Sequence, residues 1–177
     1  MMKLDWKIYS IAVGILLLGL MVLFLEKIFF FLVIVIVTVL VALILRFLHP
    51  LKYLGVELVT LSTLLVGVVY GPAIGGIYGF VILLTHLIVG NYYIGAYLTW
   101  LIPEYILLGV LAGVLRTGLI GPFGVSLIVG LDLVNLFFTF IGENERVAKE
   151  LPYVIGNILI NSIIFIQFFS SVVSFIG

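Results

Sequence analysis

Residues 57–79 read ELVTLSTLLVGVVYGPAIGGIYG, one acid at the start and then no further charge. The stretch predicts two membrane helices joined by almost nothing. Gly71 accepts dihedrals that other residues avoid, and Pro72 suits the first position of a helix, so the pair predicts a sharp reversal. Gly71, Gly75 and Gly79 recur at every fourth position. One face of the second helix therefore lacks side chains, and a neighbouring helix can approach it closely.

Outward from this hairpin, composition fixes the solvent. Of 177 residues, 65% are hydrophobic and 9% charged, and mean hydropathy is +1.48. A soluble chain of this length needs a charged exterior, and the apolar runs here exceed what one buried core absorbs. The chain reads as an all-α, polytopic membrane helix bundle, multi-pass in the cell membrane and surrounded by lipid. Eight bases balance eight acids, which argues against nucleic acid as a partner and against a polybasic lipid-surface segment. The chain has no cysteine, so disulfides, thiol nucleophiles, thiolate metal sites and iron–sulfur clusters are all excluded.

Seven apolar segments can be drawn: 8–25, 28–48, 54–70, 73–89, 94–115, 119–141 and 151–176. Lipid cannot satisfy open strand edges, and the runs show no strand-like alternation, so each is expected to be a helix. A span takes about 20 residues; the third and fourth segments are short, and are expected to be tilted less than the others or enclosed by them. Segment 8–25 lacks a small-x-small cleavage pattern and reads as an added N-terminal membrane helix. The only polar loop of any size is 142–150, and no linker divides the chain, so a single membrane domain is expected. Seven spans put Lys3, Lys7, Arg46, Lys52, Arg146 and Lys149 on one side and Lys27 and Arg116 on the other. That count favours an inside N-terminus; if 8–25 lies in the interface instead, it becomes even.

Ionisable groups at membrane depth are costly and usually face a cavity or a partner. Glu104 follows Pro103 in the fifth segment, beside Trp100 and Tyr105. The proline frees the carbonyl of Thr99 and favours a kink. This grouping suits a pocket for a small molecule with an apolar body and a polar handle; alternatively, a protonated Glu104 bonds a neighbouring helix. Asp132 and Asn135 share one helix face, and so do Asn157 and Asn161. These faces predict either a polar cavity or an interhelical hydrogen-bond seam, and the Asp132 carboxylate favours the cavity. Acids at membrane depth without Lys or Arg there favour a cationic or neutral solute over an anion. Glu57, at a helix N-terminus, is adequately explained as a cap. His86 reads as interfacial or hydrogen-bonded, and His49 as a loop residue. The two histidines and scattered carboxylates form no recognisable metal set. There is no Gly-Lys-Ser/Thr phosphate loop and no hydrolase motif. No cofactor and no catalytic residue is expected, so the chain reads as a non-enzyme that would draw any transport energy from a partner or an ion gradient.

Glu57-Leu58-Val59-Thr60, the Gly67 to Gly79 core with its Tyr70-Gly71-Pro72 turn, the aromatic-rich stretch 90–100 and the run LLGVLAGVL at 107–115 together resemble the substrate-binding S components of energy-coupling factor (ECF) transporters. The resemblance covers about a third of the chain. It implies a six-helix core at 28–177 with 1–27 as an extra helix, and loops near Leu51, Asn91 and Asn144 that close over a shared pocket. On this reading Trp100, Glu104, Asp132, Asn135, Asn157 and Asn161 form the pocket, and Asn91, Tyr92 and Tyr93 its lid. The implied function is uptake of a vitamin-like micronutrient, with an ECF coupling subunit and ATPases as partners. Thr38 and Ala42 give a partial small-x-x-x-small match to the family's docking face. The alternative is a scaffold or interaction subunit of a larger membrane complex, in which the same polar residues only fix helix packing.

Overall fold

The computed structural model describes residues 6–142 and 144–176. Among these residues six helices follow in order: α1 (Trp6–Phe47), the single turn α2 (His49–Lys52), α3 (Val59–Tyr70), α4 (Pro72–Val89), α5 (Leu98–Gly142) and α6 (Asn144–Ile176). Among the described residues Leu25–Phe47, Pro72–Val89, Leu98–Arg116, Gly118–Gly142 and Val147–Phe169 are each long and apolar enough to cross a membrane. The protein is an all-α, multi-pass membrane helix bundle.

The chain forms two compact units, Met1–Val33 and Ile34–Gly177, with their boundary inside α1. In the first unit the helix continues through Glu26 and Lys27. The turn expected between segments 8–25 and 28–48 is absent, because Glu and Lys are good helix formers and no Gly or Pro stands beside them. The six-to-two charge count needed that turn and loses its basis.

The second unit is built around α3. Nine of its twelve residues are buried, and it packs against α4, α5 and α6. The short third segment is therefore enclosed by its neighbours. Gly71 turns the chain from α3 into α4 with φ 91° and ψ 174°, and Pro72 opens α4. A left-handed φ of this kind is open to glycine at little cost. Beyond the turn α3, α4 and α5 meet on bare backbone. A Cβ on Gly75 would stand 2.5 Å from both the Gly109 carbonyl oxygen and the Gly67 Cα, and one on Gly113 would meet Gly71 and Pro72. Gly79 faces Tyr105 and Thr63 in the same way.

The fifth and sixth segments form one helix, α5, broken where Arg116 takes φ 46° and ψ −158°. Helical dihedrals persist through Pro103, so the sharp change of direction lies at Arg116 and not at the proline. The polar stretch expected as a loop over 142–150 is mostly the first turns of α6, with Glu143 outside the described residues. On the part of α1 that belongs to this unit, Ile34, Thr38, Ala42 and Leu45 form a buried stripe at helical spacing. Thr38 is 2% and Ala42 0% exposed; these two small residues face the inside of the unit and are not a free docking surface.

Gly109→Ala is expected to lower the thermal unfolding midpoint in detergent substantially, because the new Cβ would run into the Gly75 backbone; overpacking typically costs about 1–3 kcal/mol. Gly130→Ala, where nothing lies within 4 Å of a Cβ, is expected to leave the midpoint unchanged or slightly raised.

Candidate functional site

Polar side chains collect where the N-terminal ends of α3, α5 and α6 meet the C-terminal end of α4. The chain before α3 is drawn against α6 at two glycines. Gly55, at φ 65°, lies so close to α6 that a Cβ would stand 2.6 Å from the Asn157 backbone nitrogen, and Gly156 faces the Leu54 carbonyl. This contact carries Glu57 to the face of α6 that bears Asn157 and Asn161.

Glu57 is 1% exposed and its carboxylate is surrounded by donors. The Val59 amide donates to Oε2, and the Thr60 amide also donates to it at 3.3 Å. Oε1 accepts from Thr60 Oγ1 at 2.8 Å, Asn157 Nδ2 at 2.6 Å and Asn161 Nδ2 at 3.5 Å. The Thr60 hydroxyl has spent its proton on Glu57, so Tyr105, 3.0 Å away, donates to the threonine oxygen. Asn161 Nδ2 also bonds Asn157 Oδ1 at 3.0 Å. Glu57 thus caps α3, as its position predicts, and also ties α3 to α6 directly and to α5 through Thr60.

Beside this cluster lies a cavity of about 450 Å³. His49, Lys52 and Tyr53 line it from α2 and the following turn, Asn91, Tyr92 and Tyr93 from the α4–α5 connection, and Lys149, Glu150 and Tyr153 from the start of α6. Residues near 51, residues near 91 and the stretch of α6 from Lys149 to Tyr153 border this one space. Glu57 and Tyr105 stand in its wall, with Asp132 and Asn135 from the second arm of α5.

Of the nine residues named from the sequence, Asn91, Tyr92, Tyr93, Asp132 and Asn135 line the cavity. Trp100 stands behind Asn135, its Nε1 donating to Asn135 Oδ1 at 3.1 Å, with its ring stacked on Phe138. Asn157 and Asn161 donate to Glu57 and lie off the cavity wall; Asn161 Oδ1 has no hydrogen-bond partner. Glu104 is buried off the wall, with no hydrogen-bond partner for either oxygen, while the next residue, Tyr105, reaches the cavity.

Several lining residues were not named from the sequence. His86 is 5% exposed, its Nδ1 has no hydrogen-bond partner, and its ring centroid is 4.9 Å from that of Tyr92. Lys52 donates from Nζ to the carbonyls of Gly90 and, at 3.3 Å, Asn91, and its ammonium lies 4.6 Å from the centre of the Tyr92 ring. Burial, with Arg46 nearby, holds this ammonium below its ordinary pKa. Burial and the charge of Glu57 push the Tyr92 phenol up, so it remains a neutral hydroxyl whose oxygen has no partner. Tyr153 stands four residues before Asn157 on α6, a spacing that places it on the same face.

Among the described residues no group of three His, Asp or Glu side chains is placed to hold a metal ion. No protein-family model, curated protein or solved structure matches the chain.

Glu57→Ala strands the donors of Thr60 and Asn157, and unsatisfied buried donors cost about 1–3 kcal/mol each. A loss of about 3 kcal/mol, read as a lowered unfolding midpoint in lipid nanodiscs, is the expected result. Glu57→Gln keeps an acceptor oxygen for Asn157 but turns a donor toward the Val59 and Thr60 amides, and is expected to recover only part of that stability.

Proposed function

We propose that the protein is a membrane-embedded substrate-binding subunit that takes a small, micronutrient-like solute into this cavity, and that a separate ATPase module energises its uptake. The observation that carries the reading is the cavity wall. Asp132, His86 and Tyr92 line the cavity, and Asp132 Oδ2, His86 Nδ1 and Tyr92 Oη are buried without a hydrogen-bond partner. Buried polar atoms are nearly always satisfied, and these three stand together on residues that line one cavity. A bound solute supplies the missing partners. The volume falls within the range of about 300–1,000 Å³ usual for small-molecule sites, and Leu83, Leu87, Leu101 and Leu131 give it an apolar side.

The resemblance to S components of ECF transporters supports the uptake role through its glycine-rich hairpin and through the connections near 51 and 91 that border the cavity. Because Thr38 and Ala42 are buried, a coupling subunit would dock on other residues. The scaffold reading is favoured at one place, the Glu57–Asn157–Asn161 cluster, whose hydrogen bonds hold helices together and leave little for a ligand.

Native mass spectrometry of the full chain released from lipid nanodiscs is expected to show a retained small molecule. Leu131→Trp, which fills the apolar side, is expected to abolish retention while the protein stays folded. Absence of any small molecule from the wild type, together with an unfolding midpoint raised by Leu131→Trp, would return the site to a packing role. Affinity capture from the native membrane is expected to recover an ATPase-containing complex.

A further inference from the structure

We propose that the solute is an organic cation, an amphipathic molecule whose protonated nitrogen donates to Asp132 Oδ2 and whose apolar body lies among the cavity's tyrosines and leucines. This rests on the reading of the cavity as a solute site and names the class of solute.

The inner wall carries two carboxylates, Glu57 and Asp132, respectively 1% and 2% exposed. They differ in what surrounds them. Five donor groups already fill Glu57: the amides of Val59 and Thr60, the Thr60 hydroxyl and the side-chain amides of Asn157 and Asn161. Asp132 has an oxygen with no partner, and no lysine or arginine among the described residues pairs with it. A buried, unpaired carboxylate is costly, and it takes up a proton unless a cation or a strong donor meets it. A charge-assisted N⁺–H···O⁻ bond is the strongest contact that the vacant oxygen can take.

The other groups on the wall agree with this assignment. Six tyrosines border the cavity, and the face of an aromatic ring attracts a cation. Lys52 demonstrates the preference within the protein, since its ammonium rests over the Tyr92 ring. The bases at the border do not make an anion site. Lys52 is engaged by two backbone carbonyls, and His49 and Lys149 are exposed at the rim. An anion reaching the inner wall would meet Glu57 and Asp132 with no cation beside them. Tyr92 Oη and His86 Nδ1 remain for a second polar group on the solute.

The test uses the full chain in lipid nanodiscs and two matched sets of probes: benzylammonium, benzyl alcohol and benzoate, and their phenethyl counterparts phenethylammonium, phenethyl alcohol and phenylacetate. Binding is read as the probe-dependent rise in the unfolding midpoint. The ammonium of each set is expected to bind at least tenfold more tightly than the alcohol, and the carboxylate not at all. Asp132→Asn is expected to bring the ammonium down to the level of the alcohol. If that variant does not fold, the charge order measured on the wild type decides. An alcohol or carboxylate that binds as tightly as its ammonium overturns the cationic class and leaves solute binding standing, and ammonium binding unmoved by Asp132→Asn overturns the anchor. If no probe binds but mass spectrometry shows a retained molecule, a basic nitrogen in its formula supports the proposal and the lack of one overturns it. No probe bound and no retained molecule removes the solute-binding reading itself.

Discussion

The second unit depends on a carboxylate buried against helices that are far apart in sequence. Glu57 gathers the first amides of α3, a hydroxyl of that helix and two side-chain amides of α6, residues 100 and 104 positions away. Lipid on the outside offers no alternative donors, so the cluster has to be satisfied from within. That requirement fixes where α6 stands and how α3 turns its face. It also explains why Gly55 and Gly156 occupy the crossing, since a side chain at either would hold the two elements apart.

The opposite end of α3 is governed by a different constraint. Around the Gly71 turn the backbones of α3, α4 and α5 touch at Gly67, Gly75, Gly109 and Gly113. Close packing of this kind leaves no room for a ligand. At the Glu57 end the contacting groups are large, tyrosines and a histidine among them, and the helices bound an open space. The unit is tight at one end and hollow at the other because glycines bring α3, α4 and α5 together at the first, while at the second glycines draw in only the crossing of Gly55 with Gly156 and large side chains hold the rest apart.

Much of this was legible in the sequence where the information is local. The Gly71-Pro72 reversal, the bare face beginning at Gly75 and the shared face of Asp132 and Asn135 all follow from spacing within one or two elements. The cap role of Glu57 is equally local, and the amides of Val59 and Thr60 do bond it. Its second role was hidden, because nothing between 57 and 157 in the chain announces that those residues meet. The same holds for Glu104. Its proline neighbour drew attention to the right turn of helix, yet helical rotation aims Tyr105 at the cavity and leaves Glu104 aside. The helical run through Glu26 and Lys27 was equally readable: a Glu-Lys pair resembles an interfacial break by charge, but both residues favour helix.

α3 has twelve residues, about 18 Å at 1.5 Å per residue, against a hydrocarbon thickness of about 30 Å. A helix so short, enclosed by longer ones, leaves roughly two turns of the bundle axis without a central element. The chain that would have filled that length is the segment before Val59, which is drawn aside toward α6. The hollow is the room left by a central helix that starts late, so its extent along the bundle is set by the residue at which α3 begins.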